Sequence, residues 1–137
     1  MIIDYNEKGK NKVYFLKKNM LALKFVINAE NYKYIKTVEK YPQLLSVFQD
    51  LSTKSEDCMV ILFGSYAKGI PRQDSDIDIY INTEKTGLKK KLKQINDSLS
   101  IKTGRFSTDD LLIQEIIKNH VIIKGAEEYY EKIKFLK

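Results

Sequence analysis

Residues 63–81 (FGSYAKGIPRQDSDIDIYI) constrain this chain more than any other stretch. An apolar run at residues 59–63 reads as a buried strand. It is followed by a Gly64-Ser65 turn, a short helical segment, and a loop holding Gly69, Pro71 and Asp74. Residues 77–81 read as a second strand. Extended backbone points every second side chain to the same face, so Asp76 and Asp78 aim their carboxylates together, with Cα atoms about 6.6 Å apart. Ile77 and Ile79 point the other way, into a core. Two carboxylates converging at a strand's edge suit a hard divalent cation that keeps water and recruits phosphate oxygens, which describes Mg²⁺, with Mn²⁺ as a substitute. Gly64 allows a sharp turn with no Cβ in the way, and N–H groups with the Ser65 hydroxyl at the next helix start can hold phosphate.

Spacing removes three competitors. The Asp74-x-Asp76-x-Asp78 run begins like an EF-hand loop, but Ile79 and Lys85 stand where that loop needs Gly and Glu. Gly64 and Gly69 imitate a P-loop, but Ile70-Pro71 replaces its Lys-Ser/Thr pair. A dinucleotide-binding Gly pattern is absent. The bland alternative is two solvent-facing acids on a half-exposed strand, and the preceding strand-Gly-Ser-helix argues against it.

The stretch resembles the DNA polymerase β-like nucleotidyltransferase superfamily, particularly its minimal, archaeal-type members. Their signature is an apolar strand, Gly-Ser, about ten residues, then Asp-x-Asp within a second strand. Here ten residues separate Ser65 from Asp76. The resemblance implies an α+β fold, a mixed β-sheet packed with helices in the polymerase β palm-like manner. It assigns Asp76 and Asp78 to metal binding and catalysis. Gly64, Ser65, Lys68 and Ser75 go to the nucleotide's phosphates, although turn capping explains Ser75 equally well. The implied reaction moves an NMP from an NTP, ATP first, to an acceptor hydroxyl.

The family commonly adds a third carboxylate on the next strand, and residues 99–103 (LSIKT) have none. Asp97 is the candidate closest in sequence, although a helix-end role explains it more simply. Asp109 and Asp110 read as acids at a helix start. Among minimal members the likeness suggests an antitoxin that adenylylates a protein acceptor such as a helical toxin partner. The alternative is a catalytically weak nucleotide-binding or regulatory module associated with a DNA-binding unit.

The rest of the chain supplies a frame. Residues 1–52 read as a mainly helical N-terminal segment, and residues 53–137 as the nucleotidyltransferase core. A strand at 11–15, after the polar stretch 6–10, resembles the tail of a wing, which makes the segment a candidate remnant of a winged-helix unit. Asn19 is a candidate N-cap, and a second helical pattern (Ile35, Val38, Leu45, Phe48) is interrupted at Pro42. Residues 52–57 read as a linker. A helix at 86–97, a strand at 99–103, a capping-box start at Ser107 and Asp110, a strand at 121–124 and a helix opening at Gly125 follow. The helices are expected on one face of the sheet.

The net charge is +6, yet residues 1–52 hold nine Lys against five acids while the remainder is nearly balanced, and only Arg72 and Arg105 are Arg. Nucleic-acid binding therefore has weak compositional support, and Lys89-Lys90-Lys91 reads as a solvated helix face. No apolar run reaches the roughly 20 residues of a membrane span, so no membrane partner is expected. The start lacks signal-peptide order, and the lone Cys58 agrees with a cytoplasmic location. His120, the single histidine, reads as a satisfied boundary residue.

Overall fold

The computed structural model describes residues 3–137. The chain opens with a hairpin of β1 (Ile3–Lys8) and β2 (Asn11–Leu16), paired antiparallel from Ile3–Leu16 to Lys8–Asn11. The first strand was not expected from the sequence, because its mostly polar residues form a strand only by pairing with β2. A 21-residue helix, α1 (Met20–Lys40), follows. Asn19 caps it as expected, its Oδ1 accepting from the Ala22 N–H at 2.9 Å. Pro42 lies in the turn that separates α1 from α2 (Leu44–Lys54). Helix α2 runs into the expected linker, because Leu51 is fully buried and holds that last turn against the core.

The second half is β3 (Val60–Phe63), α3 (Gly64–Lys68), β4 (Ile77–Asn82), α4 (Thr86–Lys93), β5 (Leu99–Gly104), α5 (Leu111–Lys118), β6 (Val121–Lys124) and α6 (Ala126–Lys132). Strand β4 starts at Ile77 as expected, so Asp76 immediately precedes it. Two helix boundaries differ from expectation. Helix α4 ends at Lys93. Helix α5 starts after Asp110, which caps it directly by accepting from the Leu112 N–H at 2.8 Å.

The four strands form a mixed sheet in the order β5-β4-β3-β6, with β3 antiparallel to both neighbours and β4 parallel to β5. All four residues of β3 are buried, as a central strand covered on both faces requires. The helices pack on both faces rather than one. Val60, Leu62, Ile77, Ile79 and Ile81 meet α2 and α4, while Ile61, Phe63 and Tyr80 meet α5 and α6. The alternation of strand side chains explains the correction: β3 and β4 carry large apolar residues at odd and even positions alike, so each face needs a cover.

Helix α1 runs beside β6 and α6 and is tied there by a buried polar contact. The Glu30 carboxylate takes His120 Nε2 at 2.7 Å and Lys33 Nζ at 2.6 Å, while His120 Nδ1 lies 2.9 Å from the Ile116 carbonyl. Both imidazole nitrogens thus lie within hydrogen-bond distance of an oxygen. Burial pushes the Glu30 carboxyl up, but hydrogen bonds and charge from His120 and Lys33 outweigh it and hold it below the ordinary range. His120 is the satisfied boundary residue expected of it. Cys58 is a free, partly buried thiol packed against the core.

Candidate active site

Gly64 is the joint of the site. Its φ of +72° is left-handed, and a Cβ there would overlap the Asp78 carboxylate, coming 2.9 Å from Cγ. Glycine therefore serves two needs at once: the turn out of β3 into α3, and the close approach of that backbone to Asp78. The register explains the proximity, since Phe63 is paired with Asp78 across β3 and β4. Ser65 follows in the first turn of α3. Gly69, at φ +74°, closes that five-residue helix, and its N–H and that of Ile70 return to the Tyr66 and Ser65 carbonyls at 3.2 and 3.0 Å.

Asp78 is half-buried, whereas Asp76 is exposed at the mouth of a groove. Burial pushes the Asp78 carboxyl up, and the like charges of Asp76 and Glu115 push it further. Lys102 and Lys68 oppose that shift from two sides. An anionic pocket held this way gains from a cation placed between its carboxylates.

Lys68 lies 3.4 Å from Glu115 on α5, so Glu115 joins the site's charge balance. Sequence reasoning missed it, because nothing in the local order of residues places α5 beside Asp78. Ser75 turns its hydroxyl to the loop, where Oγ accepts from the Arg72 N–H at 2.7 Å. That is the turn-capping role, and it leaves the Ser75 O–H proton available as a donor.

On β5, Ser100 stands directly across from Asp78, and Lys102 follows it on the same face. The place where a third acid is expected is thus taken by a hydroxyl and an ammonium. Asp97 is exposed and contributes its carbonyl, not its carboxylate, to a 2.8 Å bond from Lys93 Nζ. Among the described residues no three acidic, His or Cys side chains come together as a metal-binding group. Two carboxylates remain, and Mg²⁺ commonly takes one or two carboxylates with substrate phosphates and water completing its octahedron. The donor set fits one such ion.

A groove of about 690 Å³ runs from Asp76 along the outer edge of β5, lined by Lys89, Lys90 and Lys93 of α4 and by Lys102. The tri-lysine run is therefore not wholly a solvated face, since two of its three members line this groove. Gly64, Ser65 and the Glu115-paired Lys68 lie on the β3 side of the carboxylates, and the unbalanced lysine cluster lies on the β5 side.

A central mixed sheet, a glycine-serine turn against a strand-borne aspartate and a second aspartate one step away together define a nucleotidyltransferase palm. The family described as "Polymerase beta, Nucleotidyltransferase" matches residues 46–129, and the chain belongs to that family. No curated protein matches the chain. Among solved structures, the chain is similar to one from a crystal structure of a toxin-antitoxin with AMP-PNP. That likeness has 22% identity and a TM-score of 0.45, over 78% of this chain and 80% of that one. No helix among the described residues is long and apolar enough to cross a membrane.

Proposed function

We propose that this chain is a Mg²⁺-dependent enzyme that moves a nucleoside monophosphate from an NTP, ATP first, to an acceptor hydroxyl. The observation that carries the proposal is the contact of the Gly64 backbone with Asp78, which brings a phosphate-binding turn against a metal-binding carboxylate. Asp76 and Asp78 would hold the ion, which when bound neutralises the triphosphate and polarises its α-phosphorus. Ser65 and the N–H groups of the turn bind phosphate oxygens, and Lys68 leaves Glu115 to meet the same charge. The acceptor approaches from the β5 side, opposite the triphosphate, as in-line displacement requires. Its oxygen bonds to the α-phosphorus, pyrophosphate departs, and the hydroxyl proton passes to water.

The finer reading is a protein hydroxyl as acceptor, such as one on a small helical toxin, with this chain as the cytoplasmic antitoxin. The likeness of residues 59–81 to minimal family members supports it. A second reading, a nucleotide-binding regulatory module with weak turnover, is favoured by Ser100 and Lys102 standing where a third acid is expected. Incubation with α-labelled ATP, Mg²⁺ and candidate proteins separates the two. Label transfer lost in Asp76→Asn and Asp78→Asn supports the enzyme, and ATP binding without transfer supports the module. If neither ATP nor Mg²⁺ binds at millimolar concentration, both readings fail.

A further inference from the structure

Helix α1 carries a second apolar face. Its inner face packs on the body of the protein through Ala22, Glu30, Tyr34 and Val38. On the opposite side Leu21, Phe25, Tyr32 and Ile35 are 51%, 52%, 59% and 51% exposed, and Asn28, also exposed, lies between them. The spacing of these five residues is 4-3-4-3, the a/d repeat of a helix that packs lengthwise on another helix. An ordinary surface helix has no use for such a stripe.

The stripe is self-complementary. When two copies of α1 are laid antiparallel about a two-fold axis at Asn28, Leu21 faces the partner's Ile35 and Phe25 faces the partner's Tyr32. Asn28 then faces its own copy, where two side-chain amides can exchange hydrogen bonds. Glu39, the next residue on the stripe, falls opposite the Lys17-Lys18 pair that leads into the partner's helix. A single polar Asn within an apolar seam is a known device for fixing register, and a two-fold contact must meet itself in this way.

The hairpin points to the same partner. Among the described residues β1 and β2 make substantial contact only with each other, and a lone two-stranded hairpin is marginal in water. Ile3, Tyr5, Tyr14 and Leu16 share one face of it, and all are more than 40% exposed. Four half-exposed side chains on α1 offer on the order of 400 Å², about half of the roughly 800 Å² per partner that a stable interface buries. The hairpin face supplies a comparable area. In the antiparallel arrangement the N-terminal end of α1, into which the hairpin leads, meets the C-terminal end of the partner's α1.

We propose that the outer face of α1, together with the β1–β2 hairpin, is the contact of an antiparallel two-fold homodimer centred on Asn28. The inference stands apart from the enzymatic reading and survives its failure. The test is sedimentation of the full chain over a concentration series, with far-UV circular dichroism as the check on folding. The intact chain is expected to sediment as a dimer. Phe25→Lys with Ile35→Lys, both at exposed positions, is expected to weaken association about thirtyfold or more while the helical signal is kept. In a Cys58→Ser background, Asn28→Cys is expected to cross-link to a covalent dimer under mild oxidation. At an interaxial distance of 8–10 Å, facing Cα atoms come within disulfide reach of roughly 4–6 Å. Glu39→Cys lies away from its own copy and is expected to stay monomeric under the same oxidation. A monomer at every concentration, a dimer indifferent to the two lysines, or cross-linking at 39 rather than 28 would each overturn the proposal, as would a stripe that binds only a different protein.

Discussion

Replacing Gly64 with alanine sets two costs against each other in a measurable way. The first is conformational: the φ of +72° places an L side chain in the left-handed region, at about 1–2 kcal/mol. The second is steric, because the new methyl overlaps the Asp78 carboxylate and something must move, at about 1–3 kcal/mol. Gly64→Ala should therefore lose about 2–5 kcal/mol in urea unfolding at neutral pH, with an unchanged m-value. Asp78→Ala removes the carboxylate atoms that the new methyl would overlap, and with them a group whose ionised form is disfavoured in the fold. A raised folded pKa contributes stability below the ordinary carboxylate range and loses it as pH climbs through the folded value. Asp78→Ala alone should accordingly compare best with the parent protein at neutral pH and worst in acid. In the double variant the conformational cost remains, with only the 3.1 Å contact to the Cβ of residue 78 left of the steric one, so the cycle should show about 1–3 kcal/mol of coupling between positions 64 and 78. Coupling indistinguishable from zero would mean that the backbone of the turn does not press on that carboxylate, and the site's geometry as argued would fall.

Other perturbations probe the neighbouring charges. Glu115→Gln should change stability by less than about 1 kcal/mol, since the Lys68 pair is solvent-exposed. It should nevertheless tighten NTP binding measured by calorimetry, because Lys68 is released and a like charge beside Asp78 is removed; equal or weaker binding would count against Lys68 as a phosphate contact. Glu30→Ala should cost about 1–3 kcal/mol in urea unfolding at neutral pH by leaving the buried His120 Nε2 without its partner. Because the Glu30 carboxyl is held low, the stability it adds is present above the ordinary carboxylate range and fades as pH falls through the folded value. A variant as stable as its parent at pH 7 would refute the buried contact.

The site was legible in the sequence to the extent that it is local. Gly64, Ser65, Asp76 and Asp78 fall within fifteen consecutive residues, and strand periodicity alone predicts that the two aspartates share a face. Glu115 was hidden because it reaches the site from α5, a helix whose placement depends on the far side of the sheet. Lys89 and Lys90 looked like a solvated face for a related reason. A groove appears only when α4 lies along the open edge of β5, and no helical pattern encodes that. The two-sided cover of the sheet was readable in principle, since Ile61, Phe63 and Tyr80 are large apolar residues at positions facing away from the α2–α4 core. The hairpin is the opposite case. Its two strands make substantial contact only with each other, so β2 was legible as a strand at 11–15 while no burial pattern marks β1 beforehand.

The charge pattern around the aspartates bears on how such a site can operate with two acids. A third carboxylate would add negative charge beside Asp78, whose carboxyl is already pushed up by burial, Asp76 and Glu115. Lys102 on the β5 side does the reverse, favouring the ionised form of Asp78. It also leaves a positive charge where a second metal ion would otherwise be held. An ammonium cannot ligate a metal, but it can sit against phosphate or against the oxygen of an incoming acceptor. Substituting Lys102 with Asp would therefore test two opposed ideas in one variant. If Lys102 serves in place of a second ion, Lys102→Asp should slow nucleotide transfer and make what remains depend more steeply on Mg²⁺ concentration. If the site is instead a two-metal centre lacking one ligand, the same change should raise the rate.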